Sequence, residues 1–239
     1  MKKIIALFVV SMLLFMLLFA TSCAKANEPT TLPTTTEKPS TSTAVSYQDM
    51  FIDWSLFENA SALVEEATLV VVGTIKDVSF AVVDSSTAEP PTEESEPLRL
   101  HLNSYYTVDV LQVFKGDVGS SLELAMDGGI KDFKVEEQLA ALGDLAEKGI
   151  PIAVDVPELN IGETYLLLMK QNLPHAAYPY YPAQSIYNLS VESPLTQHPN
   201  MTAKDIILTF GEDKWQDFWA QWQAEHPDYQ ELTTTTIYD

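Results

Sequence analysis

The segment Tyr105–Gly116 carries the clearest β-strand pattern of the chain, and the pattern slips part-way along. From Tyr106 to Val110 every second residue is apolar, which is the period of a strand with one buried face. Beyond Val110 the apolar residues no longer fit one face: Leu111, Val113 and Phe114. Two interpretations are open: both faces are covered there, or a β-bulge near Leu111–Gln112 shifts the phase. In either case the sequence predicts a strand at the centre of a sheet.

Several further segments have strand patterns. Gly73 interrupts the apolar run of Leu69–Val78, which indicates a bulge or a close approach by another backbone. Leu122–Met126 alternates and follows the first strand after a short turn, so the two are expected to form a hairpin. Thr164–Lys170 is apolar on both faces, and Ile186–Val191 is predicted as the last strand.

Helical patterns lie in the middle and at the end of the chain. Apolar residues spaced as in an amphipathic helix occupy Val135–Leu145, and Thr202 is placed to cap a helix that precedes Gly211. Ser61 is expected to cap a shorter helix near the N-terminus. In Glu212–Glu225 four aromatic residues share one stripe: Trp215, Phe218, Trp219 and Trp222. Such a stripe packs against a core or, alternatively, serves as a platform for sugars or peptides.

The N-terminal segment has the pattern of a secretory signal. Lys2 and Lys3 precede the apolar run Ile4–Phe19, and small residues lead to Cys23, the single cysteine of the chain. The pattern resembles the bacterial lipobox, in which the cysteine is lipidated and becomes the mature N-terminus. An uncleaved anchor helix and an ordinary secretory signal with an incidental cysteine are the alternatives.

Lipidation at Cys23 would make the lipid bilayer a partner of the protein. Two acyl chains on one cysteine anchor a protein stably, whereas one chain binds a membrane only marginally. The sequence therefore predicts a lipoprotein on the extracytoplasmic face of the cell membrane. Once Cys23 is modified, the domain has no thiol for a disulfide, a nucleophile or a metal ligand.

Composition divides the rest of the chain into three parts. Residues 23–46 are rich in Thr, Pro and Ser and are expected to be a tether, residues 47–229 a single folded domain, and residues 230–239 a flexible tail. Losing Lys2 and Lys3 with the signal peptide (residues 1–22) changes the formal net charge from −21 to −23. This charge argues against nucleic acid as a partner, and it leaves cations, cationic peptides and neutral ligands.

Four segments, taken in order, are similar to a known group of domains: Ala67–Ile75, Tyr106–Gly116, Asp127–Gly129 and Gly162–Leu168. They resemble uncharacterised extracytoplasmic domains of Gram-positive bacteria, which look like OB-fold barrels and share the strand layout of netrin and tissue-inhibitor modules. The resemblance implies a mainly β protein with added helices (α+β). Its parts would be an OB-like antiparallel barrel, a mid-chain helix and two C-terminal helices. The paired cysteines of the eukaryotic inhibitor modules are absent, and the group has no established activity.

No motif of the sequence predicts catalysis, a cofactor or a metal site. The histidines are scattered, with none of the paired spacings of a zinc site: His101, His175, His198 and His226. The chain has no nucleophile elbow, no phosphate-binding glycine loop and no Ser-x-x-Lys signature. We therefore predict no catalytic, cofactor-binding or metal-binding residues.

These observations favour a non-catalytic binding or interaction module at the bacterial surface, with a cell-wall or secreted-protein ligand. The aromatic loop after the Thr164–Lys170 strand is the predicted ligand surface, through Tyr178, Tyr180 and Tyr181. An envelope hydrolase that uses paired carboxylates is the alternative, since carboxylates are abundant. A cation-binding protein is a third possibility, suggested by the acidic charge alone.

Overall fold

Two sixteen-residue strands, β2 (Leu69–Asp84) and β3 (Leu100–Lys115), form the centre of the fold. They pair antiparallel along their whole length. The structure is a computed structural model that describes residues 45–51, 56–154, 156–171, 176–179, 181–190 and 201–227. Strand β2 is longer than the sequence pattern predicts, because its pairing with β3 continues beyond Val78 to Asp84, which pairs with Leu100.

The described strands form two sheets. The larger sheet is antiparallel, and its order is β4 (Ser121–Asp127), β3, β2, β6 (Thr164–Lys170) and β7 (Tyr178–Pro179). A further strand, β8 (Ile186–Asn188), pairs with β6. The smaller sheet is the parallel pair of β1 (Tyr47–Met50) and β5 (Ile150–Ala153). The predicted hairpin of β3 and β4 and the two-sided burial of β6 are confirmed.

The phase slip in β3 is a β-bulge. Val72 pairs with Gln112 and Gly73 pairs with Val110, so Leu111 has no partner on β2. Leu111 is 57% exposed, as expected for the extra residue of a bulge. The expected close approach at Gly73 is also confirmed, since a Cβ there would lie 2.8 Å from the Asp109 carbonyl oxygen.

Five α-helices lie within the described residues: α1 (Ala60–Glu66), α2 (Val135–Leu142), α3 (Pro182–Ser185), α4 (Ala203–Leu208) and α5 (Glu212–Glu225). Thr202 caps α4 in a capping box with Asp205, as predicted. The prediction that Ser61 caps α1 is wrong. Asn59 is the cap, because its side chain lies before the helix and accepts a hydrogen bond from the Ala62 N–H at 3.0 Å.

The two faces of the large sheet belong to different hydrophobic clusters. Helices α1, α4 and α5 cover one face, where Val70 and Val72 pack in a cluster that includes the four aromatic residues of α5. Those four residues are buried, so the stripe is a core surface. The opposite face carries the interior cluster, which includes Val71, Tyr106 and Tyr165. This alternation explains why β2 and β6 are apolar on both faces.

The fold is mixed α+β, with more strand than helix. The sequence predicted a closed barrel, but the end strands β4 and β7 are not paired with each other as strands. An isolated bridge joins Leu124 of β4 to Ala177, the residue before β7.

The signal peptide, Cys23, most of the tether and the tail lie outside the described residues. Within the part of the chain that is described, no helix has the length and apolar character needed to cross a membrane.

Candidate functional site

The structure describes two of the three predicted ligand-binding tyrosines, Tyr178 and Tyr181. Tyr178 lies in β7, where its hydroxyl accepts a hydrogen bond from Asn103 Nδ2 at 3.2 Å. Tyr181 packs against the helix-covered cluster, with its ring edge-on to Phe57 at a centroid distance of 4.9 Å. Tyr180 lies outside the described residues. Tyr178 and Tyr181 therefore have different surroundings.

A cleft of about 110 Å³ lies between the large sheet and the small one. Its apolar lining comes from β3, β4, β5 and the segment that follows β5: Tyr106, Met126, Ile152, Val156 and Leu159. Its polar lining includes Asp127, Lys131, Glu158 and Asn160. The lining of the cleft thus combines apolar residues with charged residues of both signs.

The turn that follows β4 forms one wall of the cleft, and hydrogen bonds to buried side chains hold it in place. Gly128 has a φ of +86°, and its carbonyl oxygen accepts a hydrogen bond from Ser104 Oγ at 2.7 Å. The buried Gln138 of α2 accepts from the Ile130 N–H at 3.0 Å and donates to the Ile130 carbonyl at 2.7 Å. A side chain at Gly129 would overlap Gln138, which explains the second glycine of the turn.

Tyr106 forms part of the buried side of the cleft. Only 4% of the residue is exposed. Burial raises the pKa of its hydroxyl well above the ordinary value, and the nearby charge of Glu158 acts in the same direction. The phenol therefore stays neutral at physiological pH and can offer a hydrogen bond to a ligand in the cleft.

A polar network fixes the segment that carries Asn160. The Tyr165 hydroxyl accepts from the Asn160 N–H at 2.9 Å and donates to Glu163 Oε2 at 2.7 Å. Asn188 Nδ2 also donates to Glu163 Oε2, at 2.6 Å. The hydrogen bond from Tyr165 is the largest cause of the lowered pKa of Glu163, and the amide donors add to it. The cleft wall at Asn160 is thereby attached to the sheet.

A second polar site lies on the outer face of β3 and β4. Burial raises the pKa of Tyr105, and the charges of Glu123 and Glu89 add to this, while a hydrogen bond from Asn103 opposes it. Burial, followed by the neighbouring Tyr105 and the charge of Asp127, raises the pKa of Tyr178 to about 12. The two phenols and the fully buried Asn103 thus form one cluster.

The described residues contain no group of three or more His, Cys, Asp and Glu side chains that could hold a metal ion. His101 Nε2 lies 3.6 Å from Asp127 Oδ1, and the His226 ring stacks on Trp222 at 4.0 Å. His175 and His198 lie outside the described residues.

No protein-family model matches this chain, and no curated protein sequence matches it. The geometry of the cleft and of the tyrosine cluster is therefore the basis for assigning a function.

Sequence reasoning predicted a ligand surface at Tyr178 and missed the cleft. Tyr106 was interpreted as a core residue of its strand, and Asp127 as part of a turn. Their shared cleft depends on the β3–β4 pairing, which the sequence predicts, and on the position of β5, which no local pattern predicts. The Gly128–Gly129 pair was the one local feature that could have indicated the cleft. Two glycines predict a turn whose backbone other groups can approach closely.

Proposed function

We propose that this chain is a lipid-anchored extracytoplasmic lipoprotein whose folded domain is a non-catalytic binding module. The observation that carries the binding function is the cleft beside Tyr106, in which apolar surface, a neutral phenol and charges of both signs face one space. The support for the anchor is the sequence pattern that leads to Cys23.

The fold that we propose for this module is an OB-like barrel. It is supported by two hydrogen bonds that connect the ends of the large sheet beside the Leu124–Ala177 bridge. The Ala125 N–H donates to the Ala177 carbonyl at 2.8 Å, and the Ala177 N–H donates to the Glu123 carbonyl at 2.9 Å. A closed sheet would enclose the interior cluster, and the cleft would then lie where barrels commonly bind ligands.

The cleft suits a small polar ligand with an apolar portion. Its volume of about 110 Å³ limits the enclosed part of a ligand to a few non-hydrogen atoms. Lys131 offers a partner for an anionic group, and Asp127 and Glu158 offer partners for a cationic one. A charged end group of a cell-wall glycan or peptide has this chemistry, so we expect an envelope component as the ligand.

Filling the cleft tests the binding function. Val156→Trp places a large side chain in the lining of the cleft, whereas Leu111→Trp adds the same side chain at an exposed position outside it. The probe is a set of soluble cell-wall glycan and peptide fragments, measured by ligand-observed NMR. We expect the wild type and Leu111→Trp to bind the same fragments and Val156→Trp to lose them. Equal binding by all three proteins, or no fragment bound by the wild type, would contradict the proposal.

Metabolic labelling tests the anchor. The full precursor is expressed in a Gram-positive host with an alkyne analogue of palmitate, and incorporation is read on a gel. We expect the wild type and Ser22→Ala to carry the label and Cys23→Ala to lack it. Label on Cys23→Ala, or none on the wild type, would overturn lipidation without affecting the cleft.

A specific observation favours a second candidate function, an envelope hydrolase. Asp127 and Glu158 both belong to the lining of the cleft, and glycoside hydrolysis uses a pair of carboxylates. The test is release of reducing ends from cell-wall glycan. A hydrolase should lose this activity in Asp127→Asn and in Glu158→Gln and keep it in Glu136→Gln, which changes an exposed acid of α2. A wild type that releases no reducing ends would eliminate this candidate.

A further inference from the structure

The charged residues of the cleft lining differ in whether they already have a partner within the protein. Lys131, the positive residue of the described lining, has its Nζ 6.0 Å from the ring centroid of Tyr47, which is the range of a cation–π contact. Asp127 has His101 as a partner at 3.6 Å. Glu158 is exposed and forms no ion pair within the described part of the chain. The charge that remains available to a ligand is therefore negative.

The hydroxyl oxygen of Tyr106 lacks a hydrogen-bond donor. Ser104 lies beside it, but Ser104 Oγ donates to the Gly128 carbonyl at 2.7 Å. A serine hydroxyl has a single proton, so Ser104 cannot also donate to Tyr106. Among the described residues no other group donates to this oxygen, although only 4% of Tyr106 is exposed. Buried polar groups in folded proteins nearly always have a partner, so we expect one to come from outside the chain.

A ligand can reach this oxygen. The Tyr106 hydroxyl is not among the polar atoms that are fully enclosed without a partner, as Asn103 Oδ1 is. Tyr106 belongs to the lining of the cleft, and so does Glu158, whose charge acts on the Tyr106 hydroxyl. The phenol oxygen and the carboxylate therefore border the same space.

Asn160 adds a further acceptor to the lining. Its Nδ2 donates to Glu163 Oε2 at 3.1 Å, and its backbone N–H donates to the Tyr165 hydroxyl at 2.9 Å. A carboxylate can only accept, so the amide nitrogen has to face Glu163 and the amide oxygen is left available. Within the described residues this Oδ1 has no donor. Asn160 therefore offers an acceptor, rather than a donor, to a ligand.

We propose that the cleft binds its ligand through a primary alkylammonium group. The Tyr106 oxygen and Asn160 Oδ1 accept hydrogen bonds from its N–H groups, and Glu158 supplies the counter-charge. Met126 and Val156 contact the carbon chain beside the nitrogen. This inference rests on the proposed binding function and specifies the chemical class of its ligand.

Three probes of similar size test the ligand class: n-butylammonium, 1-butanol and butyrate. Each is titrated into the intact protein at about 0.15 M NaCl, which screens non-specific attraction to the acidic surface. NMR of the Met126 methyl group, in the lining, reports binding, and the Met169 methyl group, outside the lining, is the reference. We expect n-butylammonium to give saturable shifts at Met126 that Val156→Trp abolishes. It should bind roughly threefold or more tightly than 1-butanol, and butyrate should bind most weakly.

Variants separate the contributions of the phenol oxygen and the charge. Tyr106→Phe keeps the ring and should weaken binding of n-butylammonium by roughly threefold or more. Glu158→Gln should weaken it by roughly twofold or more and leave the affinity for 1-butanol unchanged, which a merely structural effect would not do. Glu136→Gln, on α2, is the matched charge control and should bind as the wild type does. Thermal unfolding of each variant checks that it is folded.

The outcomes that overturn this inference differ from those that overturn the binding function. Tighter binding of butyrate than of n-butylammonium would show that the cleft binds ligands but prefers an anionic group. No saturable shift with n-butylammonium, or an equal loss in Glu136→Gln, would also overturn the ammonium site. The binding function itself fails when no cell-wall fragment binds the wild type, and that measurement does not depend on these probes.

Discussion

At Gly73 the backbone of β3 lies so close that β2 has no room for a side chain. A Cβ at Gly73 would lie 2.5 Å from Val108 Cγ1 and 2.8 Å from the Asp109 carbonyl oxygen. We predict that Gly73→Ala lowers the free energy of unfolding by about 1–3 kcal/mol, as overpacking does in other cores. Gly119→Ala is the control, because a Cβ there meets nothing within 4 Å. Urea denaturation measures both, and equal stability of the two variants would contradict this packing.

Glu163 should make the stability of the protein depend on pH. Its folded-state pKa is lower than the unfolded value of about 4.5, mainly because Tyr165 donates to the carboxylate. The hydrogen bonds to the Glu163 carboxylate therefore stabilise the folded state fully above pH 4.5. This stabilisation is lost as pH falls through the lowered pKa of Glu163. We predict that Glu163→Gln melts at a lower temperature than the wild type at pH 7 and that the difference becomes smaller as pH falls below about 4.5. Glu136→Gln serves as the control, and a difference independent of pH would contradict the prediction.

The residues of the tyrosine cluster differ in how well the sequence could predict their surroundings. Tyr178 stands in an aromatic segment, and the density of aromatic residues is why the sequence predicts a ligand surface there. Asn103 occupies a polar position of an alternating strand, where the sequence predicts solvent, yet it is fully buried. One of its partners is the Tyr178 hydroxyl, and the segment 176–179 that carries it meets β4 at the Leu124–Ala177 bridge.

Among the elements, the start of α4 depends on a small number of polar atoms. Thr202 Oγ1 accepts from the Asp205 N–H at 3.2 Å, and Asp205 Oδ2 accepts from the Thr202 N–H at 2.8 Å. We predict that Thr202→Ala lowers the free energy of unfolding by about 1 kcal/mol, because it leaves a helix N–H without a partner. Thr202→Ser keeps the hydroxyl and should restore most of that stability. Chemical denaturation measures both variants, and equal losses would show that the methyl group matters more than the cap.

The spacing of apolar residues and the positions of turn-forming residues predicted most of the elements, because β3, β4, β6 and α5 bury apolar residues at regular intervals. The change in the apolar pattern after Val110 also located the bulge at Leu111. A bulge adds one residue to a strand, so the residues that follow it point to the opposite face. The strand β1 was missed. It has four residues, and its partner β5 lies about a hundred positions away in the chain, so nothing local marks it.

For the whole molecule, the charge is the property that the sequence determines without reference to the fold. A formal net charge of −21 makes the compact state repel itself, and salt screens that repulsion over about 10 Å at 0.1 M. We predict that the melting temperature rises as NaCl is increased from a few millimolar to about 0.15 M. As a control, the melting temperature is also measured in sucrose of equal osmolality, which does not screen charge. A melting temperature that falls with NaCl would show that attractive ion pairs outweigh the repulsion.

The parallel pair of β1 and β5 also determines how the domain responds to mechanical load. A pulling force that enters from the N-terminal side reaches β1 before any other described strand. A four-residue ladder resists it, bounded by the hydrogen bonds from the Ile150 N–H to the Ser46 carbonyl and from the Val154 N–H to the Met50 carbonyl. Two hydrogen bonds between the Tyr47 hydroxyl and Asp132 add to it. The long pairing of β2 with β3 carries no tension until that ladder breaks. A domain held at its N-terminal end would therefore yield in two steps, with the small sheet opening first and the cleft losing its β5 wall while the large sheet is still folded.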